Sequence, residues 1–345
     1  FAAWAMFGTV LTTAVATDDD DLFRTAMFGR NKGRSENEWW NGNPNPGPQG
    51  VELHFSQRAI SEDGLWSEGA MGYQFMALQA LVMDAEILWH KGIDLYRYRD
   101  GALKRLFDSP LQYSYPDLRT PAINDSGHGS IIGREAYLYE FGYRRYQDPK
   151  YLLILKQTGM QLGAVFQQFP VSVLYDVDLD AEAKPVEWTS INFFDVGYGI
   201  LRNTTPRGTV STLIDYGASG SHDHPDKLNL DVWGFGQRLL PDPGSTWYER
   251  PLYGNWYSTT VAHNTLVVDE LNQRRGGGVD PDQIVYGPAE TFAMQRATID
   301  TAYAGITMDR SSFVTPQYTA DIFGAFAQVP RKYDLAWHPV GELKS

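Results

Sequence analysis

Seven histidines occur in this chain, and three of them fall in two short stretches, SHDHPDK at 221–227 and VAHNT at 261–265. Between these lies PDPGS at 241–245. Zinc favours imidazole nitrogen and carboxylate oxygen, and a site with three protein ligands keeps one position open. His224, Asp242 and His263 supply that number. Their separations of eighteen and twenty-one residues match no helical metal motif, so the ligands have to converge through tertiary folding. A histidine in such a setting also fits a hydrogen-bonded core or surface position, and spacing leaves both open. In an extended chain His222 and His224 share a face. One could then bind metal while the other moves a proton.

Two further stretches carry chemical residue types. EDGLWSEGAMGYQFMALQAL at 62–81 runs from an acidic, glycine-containing turn into an apolar helix with Tyr73 near its start. PAINDSGHGS at 121–130 is a turn-rich loop, the kind of segment that carries function on a rigid scaffold, and it holds His128 between two glycines.

The elements that position these groups change character along the chain. The first half has apolar residues at three- and four-residue spacing and predicts helices. These cover 1–17, a second helix opened by Asp18–Asp21, a long helix over 68–92 ended by Gly92, and two more near 131–146 and 148–169. The stretch 30–50, with paired Trp39 and Trp40, is rich in Gly, Pro and Asn and reads as a loop. Near 175 the period becomes alternating, and 209–217, 227–236, 264–270 and 302–314 read as strands. The expectation is α+β: a helical domain over 1–175 and a β domain over 176–345.

Composition narrows the partners. A formal charge of −13 argues against a nucleic-acid groove, so a polyanion would need a local basic pocket. Ten Trp and twenty Tyr suit sugar rings as well as a core. No cysteine is present, which removes disulfides and thiol chemistry. The apolar opening run is too short to span a bilayer and reads as a core helix, so no membrane partner is expected. The chain reads as one entered inside a domain, whose leader would lie outside it.

The run SHDHPDKLNLDVWGFGQRLLPDPGSTWY, followed by WYSTTVAHNTLVVDE, resembles the C-terminal signature of heparinase II/III-like polysaccharide lyases, with wording closest to the oligoalginate lyases. EDGLWSEGAMGYQFMALQAL resembles the family's upstream signature, and the likeness covers most of residues 1–270. The resemblance implies an incomplete (α/α) toroid followed by an antiparallel β-sandwich, with an acidic polysaccharide substrate between them. It implies zinc, in a structural role, on His224, Asp242 and His263. It implies His222 and Tyr73 as catalytic residues, and a periplasmic or secreted bacterial protein.

Trp66, Glu68, His128, Tyr248 and Tyr257 are the substrate-binding candidates. Arg134, Lys227 and Arg250 are candidates to favour a phenolate at Tyr73. Two positions depart from the family pattern. Gln74 stands where a histidine usually follows the catalytic tyrosine. The Asn or His that neutralises the substrate carboxylate has no counterpart in residues 1–20, which leaves His128 as a replacement or places the group at or before Phe1.

The implied reaction is β-elimination from a uronate, alginate being favoured as substrate. It removes the C5 proton and expels the C4 oxygen, and so needs a base, an acid and a neutralised carboxylate. A uronyl C5-epimerase of the same fold, a zinc hydrolase and a non-catalytic polysaccharide-binding relative are the alternatives.

Overall fold

The computed structural model describes residues 2–29, 50–56, 59–133, 135–159, 181–205, 207–217, 222–275, 278–279, 284–289 and 292–341. Trp39, Trp40, Arg134 and the far end of the helix expected over 148–169 lie outside them. The chain forms two compact units that interleave along the sequence. The first takes Phe1–Ser67, Tyr73–Ser109 and Arg134–Lys184, and the second takes Glu68–Gly72, Pro110–Gly133 and Pro185–Ser345. Two stretches from the helical half therefore belong with the strands. The site depends on both.

The helices are α1 (Ala2–Thr17), α2 (Asp20–Phe28), α3 (Val51–His54), α4 (Met71–Trp89), α5 (Tyr98–Tyr113), α6 (Leu138–Tyr146) and α7 (Pro149–Gly159). Asp19 caps α2 by accepting from the Leu22 amide at 2.9 Å, and Asp20 and Asp21 fill its first turn, as the acidic run predicts. After α4, Gly92 takes a positive φ of 78° and lets the Ile93 amide reach back to the Leu88 carbonyl. Among the described residues, no helix is long and apolar enough to cross a membrane.

Helix α5 escapes the periodicity argument. Its sequence YRDGALKRLFDSPLQY is polar, turns at Arg99–Gly101 through three positive φ values, and contains Pro110. Proline has no N–H to give the carbonyl four residues back. Here Gln74 Nε2 donates to that carbonyl, of Leu106, at 3.1 Å, and also to Ser109 Oγ at 2.7 Å, while its Oε1 accepts from the Trp66 amide at 3.1 Å. The departure at Gln74 thus has a structural reason, since this side chain repairs the proline gap and ties down the turn that precedes Tyr73.

In the second unit, β1 (Ile191–Phe193), β2 (Tyr198–Thr205), β3 (Gly208–Asp215), β4 (Asn229–Gly234) and β5 (Gln237–Leu240) form an antiparallel sheet in sequence order. Strands β7 (Ile284–Gly287), β8 (Ala293–Tyr303), β9 (Ile306–Val314) and β10 (Thr319–Ala327) form a second antiparallel sheet, and β6 (Leu266–Val268) pairs with β11 (Tyr333–Leu335). The two larger sheets face one another. Ser312 Oγ donates to Thr212 Oγ1 at 3.1 Å, Tyr286 reaches the Ile200 carbonyl at 3.0 Å, and Ile214, Leu230, Leu240, Ile299 and Met308 share one core.

Two stretches read as single strands turn inside. In 302–314 the chain reverses at Ala304–Gly305 between β8 and β9, and in 227–236 it reverses at Phe235–Gly236; Gly305, Phe235 and Gly236 all take positive φ. Two-residue turns of that kind match the twist of a hairpin. Fully buried Arg310 on β9 braces the site from below. Its guanidinium grips Asp321 with two bonds and donates to the carbonyls of Leu228 and Asn264.

Candidate active site

The site is assembled around Asp125, on the loop at 121–130. The Asp125 amide donates to the His222 carbonyl, and the Ser245 amide to the Ser126 carbonyl, so the loop is laced to both signature segments. Asn124 has a positive φ of 60°; its Oδ1 accepts from the His224 amide at 3.1 Å, and its Nδ2 donates to Tyr198 Oη at 2.9 Å. Gly244 closes the fit from the other side. With φ at 71°, a Cβ on it would stand 2.5 Å from the Ser126 carbonyl oxygen.

Each carboxylate oxygen of Asp125 meets one imidazole. Oδ2 lies 3.1 Å from His222 Nδ1, and Oδ1 lies 3.1 Å from His224 Nε2. Ser245 Oγ donates to Oδ1 at 3.0 Å, and the hydroxyls of Tyr248 and Tyr253 donate to Oδ2 at 2.9 and 3.4 Å. Burial by itself would raise this carboxyl, but the bonds and charge of His224, with those of Tyr248 and His222, hold it at about 2. An ionised carboxylate accepts only, so His222 donates from Nδ1, and Nε2 is the ring's other nitrogen. Glu68 Oε1 stands 3.6 Å from that Nε2.

Below this layer lies the candidate metal centre. His263 Nδ1 donates to the Thr259 carbonyl at 2.8 Å, which leaves Nε2 unprotonated. His224, with its proton committed to Asp125, presents an unprotonated Nδ1. These two lone pairs face each other at 3.2 Å. Tetrahedral zinc holds two nitrogens roughly 3.3 Å apart and relieves that repulsion. Asp242 Oδ2 lies 3.8 Å from His263 Nε2; Asn229 donates to that oxygen, and the Gly244 amide donates to Oδ1.

Asp226 is a fourth group, one that residue spacing does not single out. It is fully buried, neither of its oxygens has a hydrogen-bond partner, and Oδ2 lies 3.7 Å from His263 Nε2. Ligand atoms of Asp226, Asp242 and His263 lie within 4.8 Å of one another. Burial, with mutual repulsion from Asp226, pushes the Asp242 carboxyl well up, as expected of carboxylates gathered for a cation. The residues present fit a divalent metal.

Profile comparisons align with this geometry. The heparinase II/III-like C-terminal domain matches residues 186–315, and the alginate lyase domain matches 2–120. The chain belongs to the heparinase II/III-like polysaccharide lyase family. An alginate lyase of Stenotrophomonas maltophilia is 27% identical over 82% of this chain and 42% of its own length. An exo-oligoalginate lyase of Saccharophagus degradans is 22% identical over 83% and 42%. Among solved structures, a heparinase III superposes with a TM-score of 0.69 at 17% identity, over 86% of this chain and 43% of that one. A heparan sulfate lyase from Pedobacter heparinus gives 0.67 at 15%, over 84% and 42%. The chain spans less than half the length of these relatives, and the structural likeness is one of fold: helices joined to antiparallel sheets.

Of the residues singled out for this heparinase II/III-like chain, His222, His224, Asp242, His263, Tyr248 and Glu68 come together. Tyr73 stands on the first turn of α4, in the helical unit, directly after the Glu68–Gly72 stretch of the second. Trp66 is only 6% exposed, its ring beside His54. His128 lies apart from Asp125's partners, on a hollow with Arg119 and Arg238.

Tyr253, which residue spacing does not single out, packs its ring edge-on to His224 and to Tyr248, with centroids at 6.3 and 4.9 Å, and Tyr257 ends the same short helical turn, Tyr253–Tyr257. Lys227 is buried and paired with Asp223 and Asp215, so its charge is spent inside the β unit, whereas Arg250 is exposed. Asp125 and Asp226 were legible only as members of PAINDSGHGS and HDHPDK; nothing in their spacing marked them.

Proposed function

We propose that this protein is a polysaccharide lyase that cleaves uronic-acid-containing chains, alginate or its oligomers by preference, through β-elimination. The observation that carries the reading is the Asp125–His222 pair, in which Asp125 Oδ2 and Tyr248 Oη each lie 3.1 Å from Nδ1, leaving Nε2, beside Glu68, as the nitrogen for proton transfer. In this reading the helical unit is part of an incomplete (α/α) toroid, and the facing sheets are a β-sandwich. A periplasmic or secreted location goes with a polymeric substrate.

His222 Nε2 takes the C5 proton, and Asp125 stabilises the imidazolium that results. The C5 electron pair forms the C4–C5 double bond as the C4–O bond breaks. Tyr73, in the role implied by the family likeness, gives its proton to the departing oxygen. Tyr248 Oη, bonded to Asp125 Oδ2 and 3.1 Å from His222 Nδ1, orients the base and presents a half-exposed ring to a sugar face. Zinc, when bound by His224, Asp242 and His263, supplies a fixed charge that holds these segments. His128 is held at about 4 by burial and by Arg238 and Arg119, so it is neutral at pH 7 and is not the cation that offsets the substrate carboxylate.

The test is to incubate the zinc-loaded protein with alginate, heparan sulfate and hyaluronan while following absorbance near the unsaturated-uronate band. Alginate is expected to give the fastest rise, and His222→Ala to abolish it. No rise with any polymer would sink the lyase reading, and C5 inversion without a rise would make the protein an epimerase.

A further inference from the structure

The sheet-bearing unit contains a hollow of about 360 Å³ that shares no lining residue with the Asp125 cluster. Its walls are Arg119, His128, the turn at Gly236–Gln237, Arg238, Pro241 and Val340. The size sits at the low end of small-ligand pockets, which run from roughly 300 to 1,000 Å³. In a chain of net charge −13, two guanidinium groups facing one cavity run against the overall balance.

Each guanidinium stands differently. Arg119 is oriented in advance: its Nε donates to Asp117 at 2.6 Å and its Nη2 to the Gly236 carbonyl at 3.2 Å. Arg238 lies on β5 just after the Phe235–Gly236 turn, and its Nε is buried without a hydrogen-bond partner. A buried guanidinium N–H left unmatched is costly, and a carboxylate offers two oxygens in the geometry that satisfies it. The His128 imidazole is kept neutral by burial and then by the charges of Arg238 and Arg119, and so can donate one hydrogen bond and accept another. Pro241 and Val340 add an apolar wall of the kind that sugar C–H groups cover. Asp117 offsets part of the positive charge, which suits a monoanion better than a phosphate dianion.

We propose that this cavity is a second saccharide site, separate from the His222 centre, that takes the carboxylate of a single uronate unit on Arg238 and Arg119 and a hydroxyl on His128. The choice of a uronate over other small carboxylates rests on the lyase reading; the anion chemistry does not.

The probe is D-glucuronate, a monosaccharide with no leaving group at C4, so binding is read apart from turnover. Titration into the protein, followed by the His128 imidazole proton signal and by calorimetry, should give a saturable shift. Arg238→Gln should weaken binding tenfold or more, and Arg119→Gln severalfold, with unchanged circular dichroism showing that both variants fold. D-glucose should produce no shift. Equal affinity in wild type and both variants, or binding that leaves the His128 signal in place, would overturn the site. Displacement of glucuronate by an equal concentration of sulfate would overturn its assignment to a uronate. If polymer elimination fails while this binding persists, the lyase reading falls and the cavity stands; the reverse result removes the cavity alone.

Discussion

Asp125 is the residue on which the proposed chemistry turns, because its two oxygens hold the two imidazoles that do different work. His222 meets Asp125 through Nδ1 with Glu68 near its Nε2, and His224 meets Asp125 through Nε2 with its Nδ1 toward His263. Replacing Asp125 by Asn keeps the shape but leaves one acceptor oxygen for two N–H groups, so one imidazole must change tautomer or turn. Asp125→Asn is expected to lower the initial rate of unsaturated-product formation about a hundredfold or more, with near-ultraviolet circular dichroism preserved. A variant with the wild-type rate would remove Asp125 from the mechanism. Tyr253→Phe, which loses a 3.4 Å bond to the same carboxylate and an interaction with Arg275 but leaves both imidazole contacts in place, should cost far less.

At the scale of elements, α1 and α4 pack through an unusual contact. Asp84 on α4 is fully buried, neither of its oxygens has a partner, and Gly8 on α1 makes the room, since a Cβ there would lie 3.0 Å from Asp84 Oδ1. Burial raises this carboxyl to about 7. The folded chain therefore keeps a proton that the unfolded chain loses near 3.8, and stability falls as pH rises from about 4 to about 7 and stays reduced above it. Asp84→Asn is expected to match the wild type near pH 3.5 and to exceed it at pH 8 by up to about 4 kcal/mol, as read by urea unfolding at both values. A gap that does not change with pH would show that Asp84 is ionised in the fold. The elements also show what periodicity misses. Helix α5 is polar and interrupted by Pro110, and it holds because Gln74 from α4 serves its orphaned carbonyl.

For the whole molecule, the dominant electrostatic fact is the burial of Asp215, Asp223, Asp226, Asp231 and Asp242, each at most 3% exposed, of which the first three interact with the buried ammonium of Lys227. One buried cation does not balance that number of carboxylates, and unpaired buried charge is expensive. In the proposed reading, a divalent metal at His224, Asp242 and His263 would offset part of this charge and tie together three segments of the second unit. Dipicolinate treatment is expected to lower Tm by about 10 °C, with recovery on adding zinc. Protein shown to be metal-free by elemental measurement, yet melting at the original temperature, would exclude a structural metal.

The pattern of residue types alone determined that helices precede strands, that His224, Asp242 and His263 could share a metal, and that an extended chain would put His222 on the same face as His224, because periodicity and side-chain chemistry are local properties. Family likeness added the reaction. Tertiary structure decided the remainder: that a loop from the helical half joins the β unit and makes Asp125 the common partner of both imidazoles, that Asp226 lies without a hydrogen-bond partner beside Asp242 and His263, that Lys227 is committed to Asp215 and Asp223, and that Trp66 is buried while Tyr253 packs against His224. Each depends on which distant segments meet and on what burial does to their charges, and neither quantity is written in spacing.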